Sequence, residues 1–174
     1  MILPECFLSE LRATQTYLIK YNINHPNIPL DFWQYDDIDI IEDGFYELSE
    51  SLPPINMIRV NHIPYGFFLA SLIFSWECQR ASEGLRIAFI NLTNMSPNFF
   101  TNLIQCYQYI NLNEEATAID LAYQTWLAHP DNESLINTNY RTVTNLYSED
   151  YERIPYIVNF LIEQSNRLFY LTDV

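Results

Sequence analysis

From about residue 64 onward, apolar side chains recur every three or four residues, the spacing of one face of an α-helix. In residues 97–129 this pattern predicts two helices, separated by the polar turn Asn111-Leu-Asn113 and ended by His129-Pro130. The same order of helix, turn and helix is expected in the stretches on either side. A short alternation at Asp37-Ile-Asp-Ile40 has no partner strand, and a lone strand is unstable. We therefore expect an all-α fold.

The helix pairs repeat with a period of 33 residues. Prolines stand at Pro64, Pro97 and Pro130, and aromatic residues follow the same step at Phe74, Tyr107 and Tyr140. Units of this kind resemble the tetratricopeptide repeat family, whose helix-packing positions are occupied in the central unit by Leu103, Cys106, Ile110, Ile119, Tyr123 and Trp126. The chain differs from the family in carrying the bulky Phe74, Tyr107 and Tyr140 where a small residue is usual. The resemblance implies antiparallel helix hairpins stacked as a short α-solenoid.

We expect one helical domain over residues 1–174. It is predicted to begin with N-terminal helices and an acidic connector over residues 1–63. Three helix-pair repeats follow over residues 64–96, 97–129 and 130–165, and a short tail covers residues 166–174. In the first part, a helix is expected near residues 8–21, and a second is expected to start at Asp43 and run to Leu52.

Charge narrows the possible partners. The 174 residues include 22 acidic and 8 basic ones, a net charge of −14, which argues against direct binding to nucleic acid or to an anionic membrane. Eight acids and no base lie within residues 31–50. We considered three interpretations of this cluster: a solvated face, a surface for a basic partner, or a metal site. It lacks the alternating oxygen ligands and central glycine of a calcium loop.

No catalytic or cofactor motif is present in the sequence. The three histidines lie at or near prolines and are expected at helix ends, and Cys78 and Cys106 are expected as buried apolar residues. The glycines Gly44, Gly66 and Gly84 stand singly, so no phosphate-binding loop is formed. We therefore expect no enzyme activity, no cofactor and no metal. Without a signal-like N-terminus or an apolar run of membrane-spanning length, the chain is expected in the cytoplasm.

These observations favour a non-catalytic protein that masks or neutralises a basic protein or peptide segment, as secretion chaperones and immunity or inhibitor proteins do. The candidate contact residues are Asp36, Asp37, Asp39, Glu42, Asp43, Glu47, Tyr107 and Tyr140. The repeated aromatic residues either line a groove or pack between helices. The alternative function is mimicry of nucleic acid, by which the chain would inhibit a DNA- or RNA-binding enzyme.

Overall fold

The computed structural model describes residues 30–51 and 64–169, and every regular element within these ranges is helical. A 3-10 turn at Leu30–Gln34 precedes seven helices: α1 Ile38–Ser51, α2 Tyr65–Met95, α3 Phe99–Tyr109, α4 Asn113–Ala128, α5 Glu133–Arg141, α6 Asp150–Glu163 and α7 Ser165–Leu168. The expectation of an all-α fold is confirmed for these residues. The helix predicted near residues 8–21, together with Cys6, His25 and His62, lies outside the described residues. Within the described ranges, no helix combines the length and apolar character needed to cross a membrane.

The described residues group into two compact units, one formed by residues 30–51, 64–71 and 158–169 and the other by residues 72–157. Aromatic rings form the core of the first unit. The ring of Phe169 lies 5.0 Å from that of Trp33, 5.2 Å from Phe67 and 5.8 Å from Phe45. Gly66 allows this packing, because a Cβ there would lie 2.7 Å from the carbonyl oxygen of Leu168.

Helix α1 begins earlier than the sequence pattern predicted. The predicted start at Asp43 is wrong, because the helix already starts at Ile38 and includes the alternating segment that follows Asp37. The carboxylate of Asp37 accepts a hydrogen bond of 3.1 Å from the backbone N–H of Asp39, which satisfies one of the free donors at the helix start. Ile41 and Phe45 are fully buried and form the apolar face of α1.

In the second unit, α2 reverses direction at Gly84, whose φ of 78° and ψ of 168° lie outside the helical region. The rings of Trp76 and Phe89 lie 5.5 Å apart, and the Asn91 amide donates a 2.9 Å hydrogen bond to the side chain of Gln79. In a straight helix, residues so far apart in sequence would be separated by roughly 18–20 Å. Residues 72–83 and 85–95 therefore form two antiparallel limbs. The sequence predicts such a helix pair, with its turn between Trp76 and Ser82, whereas the chain turns at Gly84.

The next two helices, α3 and α4, are also antiparallel. Asn111, with a φ of 66°, lies in the tight turn between them, and the rings of Phe100 and Tyr123 stack at 4.5 Å. The first helices of the three predicted units begin at Tyr65, Phe99 and Glu133, which are 34 residues apart each time. Cys106 is buried as predicted, whereas the prediction for Cys78 is wrong, because that thiol lies on the exposed side of α2.

Candidate functional site

Three carboxylates form a row along α1. Asp39, Asp43 and Glu47 are spaced four residues apart and therefore lie on one face of the helix, opposite the buried Ile41 and Phe45. All three are exposed. We call these three residues the acidic row. Asp36 and Asp37, which precede the helix, are also exposed, and Glu42 is half-buried beside the row.

No cation neutralises the acidic row among the residues that the structure describes. The ion pairs found there use the guanidinium groups of Arg80, Arg86 and Arg153, which bind Glu77, Asp131 and Asp150 in the second unit. Like charges four residues apart on a helix repel each other and destabilise it by about 0.2–0.5 kcal/mol per pair. The row therefore costs α1 stability, and no ion pair of the described residues offsets this cost.

The two predicted tyrosines occupy different environments in the second unit. Tyr107 is fully buried and its hydroxyl donates to the carboxylate of Glu77. Of the two predicted alternatives, a groove or packing between helices, the structure shows packing for this residue. Tyr140 is half-buried and its hydroxyl donates to the carboxylate of Glu115. The structure thus places each of these repeated tyrosines on a buried carboxylate, while the predicted acidic residues belong to the first unit.

A buried ion pair, missed in the sequence, joins α2 to α6 in the second unit. The Nε and Nη2 groups of Arg153 donate to the two carboxylate oxygens of Glu77 at 2.7 and 2.8 Å, and both side chains are almost completely buried. The remaining donors of Arg153 bind the carbonyl oxygens of Tyr147 and Ser148 at 2.7 and 2.9 Å and the carboxylate of Asp150 at 2.6 Å. Arg153 therefore also fixes the loop between α5 and α6.

The charges in this ion pair set the protonation of its members. Burial alone raises the pKa of Glu77, but the Arg153 and Arg80 guanidiniums outweigh it and hold the pKa at about 2. Burial and the neighbouring Glu77 charge raise the pKa of Tyr107 well above its usual value. Glu77 is consequently a fixed anion and Tyr107 a fixed neutral donor at physiological pH. Neither group is poised to exchange a proton near neutral pH.

Glu115 is a second buried carboxylate, and it has no cation at ion-pair distance among the described residues. Its oxygens accept hydrogen bonds from the hydroxyl of Tyr140 and the amide of Asn145. Burial raises its pKa, and the nearby Arg153 charge only partly opposes this effect. Asn145 also accepts a 3.0 Å hydrogen bond from the backbone N–H of Tyr147, so Glu115 helps to order the same loop that Arg153 holds.

One signal in the sequence could have revealed these buried charges. Glu77 lies four residues after the buried Ile73, and Arg153 lies four residues before the buried Ile157, so each charge lies on an apolar helix face. Charged residues at such positions are almost never buried without a partner. The pattern marks both residues as members of an internal pair, although it does not say with which residue each one pairs.

A cleft of about 710 Å³ opens beside this network in the second unit. Its walls come from α2, α5, the following loop and the start of α6, and they include Arg80, Tyr140 and Arg141. In the described ranges, no three side chains of the types that bind metals cluster closely enough to hold an ion. Comparison of this chain with models of known protein families, with curated proteins and with solved structures finds no match.

Proposed function

We propose that this protein is a non-catalytic binding protein that recognises a basic protein or peptide segment through the acidic row of α1. The observation that carries the proposal is the row itself: three exposed carboxylates on one helix face without a described counter-charge. A surface that costs stability and receives no compensating ion pair from the described residues is typical of residues retained for binding. A partner with lysine or arginine side chains opposite the row would relieve the repulsion.

The overall charge supports the same proposal. With 22 acidic and 8 basic residues, the chain carries more negative charge than solubility requires, since a magnitude of about 2–8 is sufficient for a small domain. Within the second unit, Arg80, Arg86 and Arg153 are already committed to internal ion pairs. Such a protein steers basic partners towards itself over about 8–10 Å at physiological salt.

We further propose that the helix pairs of the second unit stack as a tetratricopeptide-like array. The 34-residue spacing of Tyr65, Phe99 and Glu133 and the antiparallel course of neighbouring helices support this arrangement. In this proposal the protein acts by occupying its partner, as secretion chaperones or immunity proteins do, and catalyses no reaction.

A second candidate, mimicry of nucleic acid, is favoured by the regular spacing of the row. Carboxylates four residues apart on a helix advance by about 6 Å per step, so the row presents negative charge at even intervals. The row spans only about 12 Å, which corresponds to three or four phosphates of one DNA strand. This short length favours a local patch for a basic partner over imitation of a whole groove.

The test compares two variants with the same change in net charge. In the row variant, Asp39→Asn, Asp43→Asn and Glu47→Gln remove the acidic row. In the control variant, Glu83→Gln, Asp120→Asn and Glu163→Gln neutralise three exposed acids elsewhere. Wild type and both variants are used as baits in a lysate of the source organism, and the captured proteins are quantified by mass spectrometry.

We expect wild type and the control variant to capture the same basic protein and the row variant to capture at least about tenfold less of it. Equal capture by the row variant would contradict the proposal. Equal loss in both variants would show that net charge alone is responsible. Competition of the captured protein by double-stranded DNA would favour the nucleic-acid mimic.

A further inference from the structure

The second unit contains two tyrosine–carboxylate pairs that differ in their counter-charge. The hydroxyls of Tyr107 and Tyr140, at equivalent positions of two successive repeats, donate to the buried carboxylates of Glu77 and Glu115. Glu77 forms ion pairs with two guanidinium groups, whereas Glu115 forms none among the described residues. The first pair is therefore held in one charge state, and the second is the pair that a proton can change.

Charged and titratable groups of four other helices act on Glu115, which lies in the first turn of α4. They are Glu77 and Arg80 of α2, Tyr107 of α3, Tyr140 of α5 and Arg153 of α6. Within α4 itself, the neighbouring Glu114 is exposed to solvent. Burial of Glu115 outweighs the two arginines and raises the pKa of its carboxyl group above the ordinary value of 4.5. Glu115 therefore takes up a proton before exposed carboxylates do.

Two hydrogen bonds reach Glu115, and only one of them can be reversed. The hydroxyl of Tyr140 donates to Oε1 and the amide of Asn145 donates to Oε2. A tyrosine hydroxyl can donate or accept, whereas an amide nitrogen can only donate. Asn145 cannot turn its oxygen towards Glu115, because that oxygen accepts a 3.0 Å hydrogen bond from the backbone N–H of Tyr147. A proton on Oε2 would therefore break a bond to the loop, whereas a proton on Oε1 would not.

We propose that Glu115 and Tyr140 form a proton switch, in which proton uptake at Oε1 reverses the hydrogen bond between the two side chains. The proton comes from solvent, and the carboxylate becomes a neutral carboxyl group. Its new O–H group donates to the hydroxyl oxygen of Tyr140, while Oε2 continues to accept from Asn145. The O–H group of Tyr140 turns away from Glu115 towards the cleft that this tyrosine lines.

The switch changes the wall of the cleft without releasing the loop. Above the transition the proton of Tyr140 is directed at Glu115, and below it the same proton is available as a donor to the cleft. The loop over residues 142–149 stays attached through Asn145 in both states. This device belongs to the second unit and does not depend on the function proposed for the acidic row.

The test is an NMR titration of the full chain, isotope-labelled at glutamate Cδ and tyrosine Cζ, from neutral pH to below 4.5. We expect the Glu115 signal to titrate with a midpoint above 4.5 and the Tyr140 signal to shift with the same midpoint. Tyr107 is the internal control, and its signal should stay unchanged because Glu77 remains ionised, with a pKa of about 2. The side-chain amide signals of Asn145 should persist throughout.

Tyr140→Phe tests whether the two side chains are coupled. The variant removes only a hydroxyl from a half-buried ring, so it is expected to fold. The Glu115 midpoint should rise, because the anion loses a hydrogen-bond donor. Tyr123→Phe, the same change on another half-buried ring, should leave the midpoint unchanged.

Four results would overturn the proposal. The Tyr140 signal could fail to follow Glu115, or Glu115 could titrate at or below 4.5. The Glu115 midpoint could be the same in Tyr140→Phe as in wild type. Loss of the Asn145 amide signals during the titration would place the proton on Oε2 and show that the loop is released. The first, second and fourth results come from the wild-type chain, so they do not depend on the folding of any variant.

Discussion

Replacement of Glu77 by glutamine tests the buried ion pair that joins α2 to α6. Glutamine preserves the shape of the side chain but removes the charge that faces Arg153 at 2.7 and 2.8 Å. Arg153 would then be left fully buried with Asp150 as its remaining counter-charge. The hydroxyl of Tyr107 would also lose its ionised acceptor. We therefore expect a large loss of stability from this single substitution.

The size of the expected stability loss follows from the pKa of Glu77. Its value of about 2 in the folded chain, against an ordinary value of 4.5, corresponds to about 3 kcal/mol of stability at neutral pH. Removal of one partner from a buried pair typically costs about 3–5 kcal/mol, which agrees with this value. Because folding lowers the pKa, the stabilisation is complete above 4.5 and is lost as the pH falls towards 2.

The assay is urea denaturation followed by circular dichroism, at pH 7 and at a series of lower pH values. We expect Glu77→Gln to lose about 3 kcal/mol at pH 7 and the difference from wild type to shrink as the pH approaches 2. Glu83→Gln, an exposed change on the same helix, should stay within about 0.5 kcal/mol of wild type. A loss below about 1 kcal/mol for Glu77→Gln, or a loss that does not depend on pH, would refute the reasoning.

Three further substitutions test other features of the fold. Gly84→Ala should cost about 1–3 kcal/mol in urea denaturation, because a φ of 78° with a ψ of 168° is almost restricted to glycine; an unchanged stability would exclude this turn. Gly66→Ala should cost a similar amount, about 1–3 kcal/mol, since its Cβ would lie 2.7 Å from the Leu168 carbonyl oxygen. Folding raises the pKa of Glu115, so the folded chain takes up this proton before the unfolded chain does. The contribution of Glu115 to the unfolding free energy should therefore rise as the pH falls from neutral towards 4.5. Glu115→Gln should remove this gain, and an unchanged pH dependence of the unfolding free energy would contradict that assignment.

The helical part of the fold was predictable because it follows from local periodicity. The apolar spacing predicts a helix pair on either side of a turn between Trp76 and Ser82, and the chain makes this turn a few residues later, at Gly84. The start of α1 was misjudged because two aspartates are both suitable caps. The sequence pattern favoured Asp43, whereas the chain uses Asp37. Which aspartate caps the helix depends on how Ile41 and Phe45 pack in the core, and this packing is set by tertiary contacts.

The buried charges could not be paired from the sequence. Glu77 and Arg153 are 76 residues apart, and a charge on an apolar face shows that a partner is needed but not where that partner lies. The repeated aromatic position shows the same limitation. Tyr107 and Tyr140 were identified as equivalent, yet the carboxylates that they bind come from α2 and α4. The exposed carboxylates of the acidic row, by contrast, were identified directly from the local sequence.

The association rate of the captured basic partner across a salt series tests the central claim most directly. Stopped-flow measurements would compare wild type with the row variant and the control variant, which carry the same net charge as each other. Electrostatic steering by the acidic row predicts a rate that falls steeply with salt for wild type and the control variant, and a slower, nearly salt-independent rate for the row variant. A row variant that associates as fast as wild type, with the same salt dependence, would contradict the claim that α1 recognises the partner.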